Sequence, residues 1–391
     1  MSVLAAVMTG KGTGAISTIQ LFGESAETIL KKIFKPAGAE TTTFEHGKIR
    51  YGKIIDGDKI IDEVVVGCEG VNNFAINCHG NPLIVEAIMK LFKRCGAVLI
   101  TAEQMLCRIS AVEKAASAIA VEAKMAQIMA KTLQGTKIIL NQIHSGLSKT
   151  ATDWLKNIKT ISLKEITSAA KNTLEASQTA KFFITGCTIV LVGPTNTGKS
   201  TLLNYLCGRQ KAIVADIKGT TRDWVSAECQ IDPLLVTLID TAGLYNECGD
   251  TIGKISQKKT IQLLEKADLA LLVLDNSTVE NHIDRRLLEK ITGKKNIIVL
   301  NKSDLPTRFD AAKLPKSLAN STIQISAKLG TGIETLLQKI KDALGVVNFD
   351  LKQAVCFTAR QEKLLKKLAG VKSKESAVSI ITELLNGTVR V

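Results

Sequence analysis

The pattern of hydrophobic and polar positions changes three times along the chain. Residues 1–111 alternate short apolar runs with amphipathic stretches, and residues 112–182 are almost entirely helical in composition. Apolar runs of strand length and amphipathic helices then alternate through 183–346, and a helical composition resumes over 347–391. This pattern predicts an N-terminal α+β domain, followed by a helical domain that is interrupted by an inserted α/β domain.

The inserted region has the alternation expected of a doubly wound, mostly parallel sheet. Its predicted strands lie near 188–192, 225–231, 234–239, 269–275, 296–300 and 322–326. Its predicted helices lie near 199–207, 253–266, 284–292 and 332–344. In such sheets ligands bind beyond the carboxyl ends of the strands, so residues at those ends are the candidates for a binding site.

The flanking regions give simpler patterns. In the first 111 residues the apolar runs are Ala15–Ile19, Val64–Cys68 and Val98–Ile100, and the helical stretches are Ala26–Ile33 and Leu83–Arg94. Lysines are spread through 124–181 and 352–374, both of which are predicted as amphipathic helices because apolar residues recur with a period near 3.6. In the second stretch these apolar positions are Leu351, Val355, Leu364, Leu365 and Leu368.

Residues 193–200 read Gly-Pro-Thr-Asn-Thr-Gly-Lys-Ser and lie between the first predicted strand and helix of the inserted domain. A G-x-x-x-x-G-K-[ST] string in that context predicts a phosphate-binding loop, whose backbone N–H groups surround phosphate oxygens. Lys199 is placed to reach the β- and γ-phosphates and Ser200 to ligate Mg²⁺. The alternative is a glycine-rich turn without a ligand. The predicted contacts from this loop are Asn196, Thr197, Gly198, Lys199, Ser200 and Thr201.

Three later strings follow apolar strands and specify the nucleotide. In Asp240-Thr241-Ala242-Gly243, the carboxylate is suited to hold Mg²⁺ through water and Gly243 to turn its N–H onto a γ-phosphate. In Asn301-Lys302-Ser303-Asp304, the final carboxylate can accept two hydrogen bonds from guanine, whereas adenine offers no such donor pair. Ser326-Ala327-Lys328 is suited to contact the guanine carbonyl. Each string alone is also found at ordinary strand ends, but the four in order predict binding of GTP and GDP.

A polar-ended loop over 212–223 separates the first helix of the inserted domain from its second strand. Thr220 or Thr221 can complete the Mg²⁺ shell only while the γ-phosphate is present, which predicts a switch. A plain connection without a ligand is the alternative.

The composition indicates the number of domains, the state of the cysteines and whether a membrane segment is present. The 391 residues are 45% hydrophobic, which allows two or three domains with sizeable cores. Nine cysteines without paired C-x-x-C spacing indicate reduced thiols, and the adjacent Cys78 and His79 lack a second ligand pair for a metal site. No run reaches the ~18 apolar residues of a membrane helix, and residues 1–14 lack the features of a signal peptide. A soluble, cytoplasmic protein without a membrane partner is expected.

The formal net charge is +14. An excess of this size favours a polyanionic partner through the release of counterions. Solvated lysine-rich helix faces are the alternative, because only 4% of the residues are aromatic and no stacking platform for bases is visible.

Taken together, these motifs make the chain resemble the MnmE (TrmE) family of tRNA-modification GTPases. The resemblance is carried by Asn196 in the phosphate loop, by the switch sequence over 217–223 and by Asp240-Thr241-Ala242-Gly243-Leu244. Fainter landmarks are Gly14-Ala15-Ile16 with Gly23, Cys78-His79-Gly80 and Thr358-Ala359-Arg360-Gln361. The resemblance implies a homodimer formed through the N-terminal domain and a flavoprotein partner that is MnmG-like. It also implies addition of an aminomethyl-type group to the tRNA wobble uridine, with a folate such as 5-formyltetrahydrofolate supplying the carbon unit.

The resemblance also implies a mechanism of hydrolysis. Family members use K⁺ in place of an arginine finger, and the positions that match its ligands are Asn196 and the backbone of Ala215 and Ile217, with Thr220 nearby. Asn196 as a turn former is the alternative, and Arg222 competes for the charge-stabilising role. The carboxylate that matches the family's catalytic Glu is Asp250, with Glu247 as a second candidate.

The sequence departs from the family in two further places. The folate-contacting Arg, Glu and Lys of the N-terminal domain align with Gln20, Ala75 and Arg108, so weaker folate binding is expected. Family members end in a Cys-x-Gly-Lys tail, whereas this chain ends at Val391, about fifteen residues earlier. Two functions therefore remain open: a tRNA-modifying GTPase, and a GTP-dependent switch that binds RNA or a ribosomal partner without modifying it.

Overall fold

The computed structural model divides into two units, one formed by Met1–Ile128 with Glu383–Val391 and the other by Met129–Thr382. It describes residues 2–10, 12, 14–38, 44–112, 117–209, 225–241, 260–281, 285–315, 318, 322–387 and 389. Within these residues no helix has both the length and the apolar character needed to cross a lipid bilayer.

The first unit is an α+β structure. Its described strands are β1 (Leu4–Val7), β2 (Ile16–Phe22), β3 (Phe34–Pro36), β4 (Ile49–Asp56), β5 (Lys59–Gly70), β6 (Asn73–His79) and β7 (Val98–Leu99). They form a sheet in the order β3-β4-β5-β6-β2-β1-β7, in which only β1 and β7 pair in parallel. Helices α1 (Ala26–Ile33) and α2 (Pro82–Arg94) pack on one face over a core that includes Ile19, Leu21 and Phe92. Helix α3 (Ala102–Val112) covers Ala6 and Phe22, which belong to a second cluster.

The helical part of the second unit is built around one long helix. Helix α4 (Ala118–Met129) belongs to the first unit up to Ile128, and the second unit continues with α5 (Leu133–His144), α6 (Gly146–Lys156) and the long helix α7 (Leu163–Thr185). Ser162 begins α7 with a capping box, since its side chain accepts from the Glu165 N–H while the Glu165 carboxylate accepts from the Ser162 N–H. After the inserted domain the chain returns as α11 (Ala359–Ala369), which packs along α7, and ends in α12 (Lys374–Asn386).

Helix occupies only part of the stretch 352–374 that was predicted as amphipathic helices. Helix α11 begins only after Thr358, whose side-chain oxygen accepts a hydrogen bond from the Gln361 N–H, and it ends before Gly370. Residues 352–357 instead lie against α5 and α7. The buried amide of Gln142 accepts from the Val355 N–H at 3.1 Å and donates to the Gln353 carbonyl at 3.1 Å. Because these backbone groups bond across to α5, they are not available to a helix of their own.

The inserted domain has the predicted doubly wound sheet, and the predicted fold class is confirmed. Its strands are β8 (Cys187–Val192), β9 (Val225–Ile231), β10 (Leu234–Asp240), β11 (Leu269–Asp275), β12 (Asn296–Asn301) and β13 (Thr322–Gln324). They are ordered β13-β12-β11-β8-β10-β9, and only β9 runs antiparallel to its neighbour. Its described helices include α8 (Lys199–Arg209), α9 (Arg285–Thr292) and α10 (Ile333–Leu344). Strand β11 is buried at every residue, as expected for a central parallel strand.

Candidate nucleotide site

The phosphate loop over 193–198 has a backbone that requires glycine at both ends. Gly193 has φ +141°, and a β-carbon there would lie 2.1 Å from the Val273 carbonyl oxygen. Gly198 has φ +89°, and a β-carbon there would lie 2.3 Å from the Asn301 Nδ2 atom. Between them Asn196 is exposed and has φ +60°, a conformation that asparagine tolerates better than most residues. The loop is thus curled tightly between the ends of β8, β11 and β12.

Lys199 occupies the inside of this curl. Its side chain is only 3% exposed, and its Nζ atom donates to the Gly193 carbonyl at 2.9 Å and the Pro194 carbonyl at 2.6 Å. Burial lowers the pKa of Lys199 below its ordinary value, and the negative charge of Asp240 opposes that shift. The ammonium is therefore held at the mouth of the loop, beside the first turn of α8, where phosphate oxygens are bound in loops of this kind.

Two side-chain oxygens of the kind that ligate metal ions lie together where α8 begins and β10 ends. The Ser200 hydroxyl donates to the Asp240 Oδ2 atom at 2.5 Å, and Asp240 is 3% exposed. The buried Thr241 hydroxyl donates to the Leu191 carbonyl at 2.8 Å, which ties the end of β10 to β8. A hydroxyl and a carboxylate are hard oxygen ligands, so this pair fits Mg²⁺ held directly by Ser200 and through water by Asp240. Thr201, the next residue of α8, is exposed.

Asn301 joins the phosphate loop to the predicted base-binding loop. Its Nδ2 atom donates to the Thr197 carbonyl at 2.8 Å, and its Oδ1 atom accepts from the Ala327 N–H at 2.9 Å. Asn301, Thr197 and Ala327 are all at most 2% exposed. One buried amide thus fixes the distance between the predicted phosphate-binding segment and the predicted base-binding segment.

Asp304 is exposed at the end of this site. A hydrogen bond from the buried Ser326 hydroxyl, together with the nearby Lys328 and Lys302 charges, holds the pKa of Asp304 below its ordinary value. The carboxylate is therefore ionised at neutral pH and presents acceptors only, which suits the N1–H and 2-amino donors of guanine.

One residue of this site was not predicted from the sequence. Asp275, at the end of β11, accepts a hydrogen bond from the Lys302 Nζ atom at 2.6 Å and so fixes a side chain whose backbone has φ +65°. Burial raises the pKa of Asp275, but hydrogen bonds from Lys302 and Ser277 outweigh that effect and keep the pKa below its ordinary value. The available signal was an aspartate at the carboxyl end of an apolar strand, which is the same signal that identified Asp240.

Several predicted site residues lie outside the described residues. They are Ala215, Ile217, Thr220, Thr221 and Arg222 of the predicted switch, Ala242 and Gly243 after β10, and the two candidate catalytic carboxylates Glu247 and Asp250. The structure therefore brings together the phosphate loop, Asp240, Thr241 and the base-binding strings, and it leaves the switch residues untested.

Family models match parts of the chain between residues 3 and 302. One described as "GTP-binding protein TrmE N-terminus" matches residues 3–104. Another, described as "50S ribosome-binding GTPase", matches residues 188–302, and one described as "RsgA GTPase" matches residues 90–244.

Curated relatives extend the likeness along most of the chain. The tRNA modification GTPase MnmE of Enterococcus faecalis is 31% identical over 375 residues, covering 87% of this chain and 80% of that protein. The MnmE of Clostridioides difficile is 32% identical over 372 residues, covering 86% and 81%. The chain belongs to the MnmE family of tRNA modification GTPases. Among solved structures, Era in complex with MgGDPNP and nucleotides 1506–1542 of 16S ribosomal RNA is 29% identical, with a TM-score of 0.33 over 40% of this chain and 56% of that one.

As a member of the MnmE family, the protein is a GTPase that binds GTP and GDP with Mg²⁺. The oxygen pair of Ser200 and Asp240 fits the metal, and the exposed carboxylate of Asp304 fits guanine. When bound, Mg²⁺ would neutralise phosphate charge beside Lys199.

The N-terminal landmarks of the MnmE family are adjacent in the structure. The Gly14 N–H donates to the Gly80 carbonyl at 3.3 Å, and the Gly80 N–H donates to the Ala15 carbonyl at 3.1 Å. Cys78 and His79 are consecutive residues of β6 and so point to opposite faces of the sheet. The Cys78 thiol is buried with its pKa raised to about 11, whereas His79 pairs with Asp62 at 2.7 Å. Two side chains that diverge in this way cannot ligate one metal ion.

The positions that match folate contacts of the MnmE family are Gln20, Ala75 and Arg108. Gln20 and Ala75 are paired directly across β2 and β6. The buried Gln20 amide donates to Glu69 at 2.9 Å and to Asn73 at 2.5 Å, so its donors are already engaged within the sheet. Arg108 is exposed on α3.

Proposed function

We propose that this protein hydrolyses GTP in a K⁺-stimulated cycle and acts with an MnmG-like flavoprotein on tRNA, adding an aminomethyl-type group at C5 of the wobble uridine. The observation that carries the proposal is the likeness to MnmE proteins across about nine-tenths of the chain, combined with a phosphate loop that requires glycine at both ends and an exposed Asp304 carboxylate. The same family membership supports a homodimer formed through the N-terminal domain, which is the region matched as a TrmE N-terminus.

For hydrolysis, we assign K⁺ to a position between Asn196 and the backbone of Ala215 and Ile217. Asn196 supports this assignment because its amide is exposed at the tip of the phosphate loop, on a backbone with φ +60°. A monovalent cation there supplies positive charge to the phosphates, the role that an arginine finger has in other GTPases, worth ~10³-fold or more in rate. Asp250 orients the attacking water in this proposal, Lys199 binds the β- and γ-phosphates, and Thr221 completes the Mg²⁺ shell.

Two properties of the described residues support an RNA partner in the cytoplasm. The net charge of +14 favours a polyanion, and many of the lysines lie on the helices of the second unit. The described cysteines are free thiols, as expected for a protein of a reducing compartment.

For the carbon unit, the proposal includes only weak binding of 5-formyltetrahydrofolate. Gln20 and Ala75 replace charged contacts, and the Gln20 amide is engaged by Glu69 and Asn73. Each lost charge-assisted hydrogen bond is worth ~1.5–3 kcal/mol, so the loss of two should weaken binding at least tens-fold. We expect a dissociation constant in the high micromolar range or above, which corresponds to a binding free energy of about −5 kcal/mol or less favourable. Calorimetry that gave low-micromolar binding would contradict this part of the proposal alone.

A GTP-dependent switch that binds RNA or a ribosomal partner is the second candidate. The departures at Gln20 and Ala75 favour it, and so does the family model described as a 50S ribosome-binding GTPase over residues 188–302. It shares the nucleotide site of the first candidate but predicts no change in tRNA chemistry.

Mass spectrometry of wobble uridines distinguishes the two candidates. In a strain that lacks this gene, we expect the aminomethyl-type modification to be absent, and to return when the wild-type gene is restored. A Lys199→Ala variant should fail to restore it, because that ammonium lies inside the phosphate loop. Unchanged wobble uridines in the deletion strain would contradict the first candidate and favour the second.

A further inference from the structure

The second unit contains a cavity of about 400 Å³ between α7 and the returning chain at 356–366. This volume lies within the roughly 300–1,000 Å³ range of small-ligand sites. The Cys356 N–H donates to the Ser177 hydroxyl oxygen at 2.8 Å, and Gln142 holds the preceding residues, so the wall formed by the returning chain is fixed. The cavity is separate from the nucleotide site, since its lining residues all lie on α7 or within 356–366.

The lining of this cavity combines apolar groups, two lysines and one carboxylate, that of Glu362. Leu174, Ile184 and Phe357 contribute apolar surface, and Phe357 is the aromatic residue among them, only partly buried. Lys181 and Lys366 are exposed charged members of the lining. A partly open aromatic ring beside ammonium groups is the arrangement by which proteins hold single nucleotides, with the base on the ring and the phosphate on the lysines.

The charges of the two lysines are available to a ligand. Among the described residues, no carboxylate lies within ion-pair distance of Lys181. Lys366 pairs with Glu362 at 2.5 Å in an exposed i,i+4 pair that also raises the Lys366 pKa. Exposed pairs of this kind contribute little to stability, so Lys366 can exchange its partner for a phosphate at small cost.

We propose that this cavity binds one nucleotide of a partner RNA, with its phosphate at Lys181 and Lys366 and its base against Phe357. The identity of the RNA as a tRNA rests on the function proposed above, whereas the site itself rests on the cavity and its lining. A nucleotide that enters it must leave its own stack, as bases in single-stranded loops do.

Filter binding of an unmodified tRNA that carries a wobble uridine tests the charged part of the site. In the full-length protein, the double variant Lys181→Gln/Lys366→Gln should weaken binding at least tenfold and reduce the salt dependence, by roughly 1.4 in the slope of log K against log salt. The matched control is Lys31→Gln/Lys90→Gln, which removes the same charge from exposed i,i+4 pairs in the first unit and should change binding less than twofold. Equal losses in both variants would overturn the proposal in favour of a diffuse electrostatic effect.

The apolar part of the site is tested by Phe357→Leu, which keeps most of the volume but removes the stacking ring. We expect about tenfold weaker tRNA binding, with an unfolding midpoint close to that of the wild type. If Phe357→Leu unfolds the protein, ultraviolet crosslinking of wild-type protein to tRNA with 4-thiouridine at the wobble position replaces it. Crosslinks should map to 163–185 or 351–373, and crosslinks confined to other peptides would overturn the proposal.

Two further measurements distinguish this RNA site from a site for a free nucleotide, and distinguish its failure from failure of the proposed function. Uridine 5′-monophosphate at millimolar concentration should compete only weakly with tRNA, and full competition would assign the cavity to a free nucleotide and overturn the RNA proposal. The mass spectrometry of wobble uridines tests the modification function independently. Loss of modification in the deletion strain combined with unaltered tRNA binding by the cavity variants would leave the proposed function intact and reject this site.

Discussion

At the scale of single residues, the guanine site depends on where one carboxylate is presented and how it is kept charged. Asp304 is exposed, while the hydroxyl of Ser326 that bonds to it is buried at 1% exposure. The ligand-facing group is therefore held by a rigid neighbour, which is how binding sites obtain specificity from a surface residue. Lys302 is fixed in the same way by Asp275.

We expect Asp304→Asn to change the preferred base from guanine to xanthine. The carboxamide can donate to O2 of xanthine, whereas the carboxylate accepts from the 2-amino group of guanine, so GTP affinity should fall on the order of 10²-fold or more. Competition binding with GTP and xanthosine triphosphate measures the change. The matched control is Asp310→Asn, an exposed carboxylate that caps the turn at Ala312 and that asparagine can replace. A preference for GTP retained by Asp304→Asn would show that another group reads the base.

The residue types at this site could be predicted from the sequence, but their contacts could not. The position of Asn301 after an apolar strand indicates a binding role, yet its bonds to Thr197 and Ala327 join segments 104 and 26 residues away. Such distances depend on the order of strands in the sheet, which a local pattern does not specify. Asp275 was missed for the same reason, because its partner Lys302 directly follows the neighbouring strand β12.

At the scale of elements, the base-binding loop packs directly on the helix that follows the phosphate loop. Gly330 has φ +80°, and its N–H donates to the Ser326 carbonyl at 2.7 Å. A β-carbon at Gly330 would lie 1.9 Å from the Tyr205 hydroxyl oxygen and 2.6 Å from the adjacent ring carbon. Tyr205 of α8 therefore sets how closely the turn carrying Ser326 approaches the nucleotide site.

We expect Gly330→Ala to weaken GTP binding about tenfold while kcat at saturating GTP changes less than twofold. The added methyl group displaces the Tyr205 ring that packs against the turn, and the left-handed backbone adds roughly 1–2 kcal/mol of strain. Nucleotide titration and steady-state kinetics measure the two quantities. Adding Tyr205→Leu to Gly330→Ala should recover the part of the GTP affinity that is lost to the clash, but not the part that is lost to backbone strain. Gly208→Ala, also in α8 but with no atom within 4 Å of the new β-carbon, is the control and should bind GTP normally.

The returning chain depends on another single side chain. Gln142 of α5 is fully buried and makes four hydrogen bonds, accepting from the N–H groups of Leu147 and Val355 and donating to the carbonyls of Ile138 and Gln353. The apolar spacing over 352–374 predicted amphipathic helices, but residues 352–357 are not helical. The amide of Gln142 instead forms hydrogen bonds with the backbone of Gln353 and Val355, which lie more than 200 residues away in the sequence.

Replacing Gln142 by Leu should therefore lower the free energy of unfolding by about 3 kcal/mol. Leucine has a similar size but leaves the buried N–H groups of Leu147 and Val355 without acceptors, and each such loss costs ~1–3 kcal/mol. Chemical denaturation measures the change. Gln338→Leu, which removes one exposed bond to Asp342, is the control and should change the free energy by less than about 0.5 kcal/mol. Equal stability of Gln142→Leu and the wild type would contradict this role.

At the scale of the whole molecule, the inserted domain is connected to the helices at two adjoining points. Helix α7 leads into β8, and the chain after α10 returns to lie against α5 and α7 before α11 begins. The alternation of apolar and amphipathic segments predicted this insertion because it depends on patterns that are local in sequence. The strands β1, β3, β4 and β6 were not predicted: β1 and β3 are short, β4 contains exposed polar residues, and β6 mixes asparagine and histidine with its apolar residues.

Turnover by the whole molecule should depend on K⁺ and on the concentration of protein. If K⁺ is held at Asn196 in a dimer, GTP hydrolysis per chain should be about tenfold faster in K⁺ than in Na⁺, a barrier difference of ~1.4 kcal/mol. The difference between the two salts should shrink on dilution, because dilution dissociates the dimer.

Asn196→Ala should abolish the difference, whereas Asn348→Ala should preserve it, although both replace an exposed asparagine with φ near +60°. Because the two substitutions add similar backbone strain, a difference between the variants reports the loss of the Asn196 side chain as a K⁺ ligand. Identical rates in the two salts at high protein concentration would exclude the cation mechanism, and Arg222→Ala would then test the competing source of positive charge.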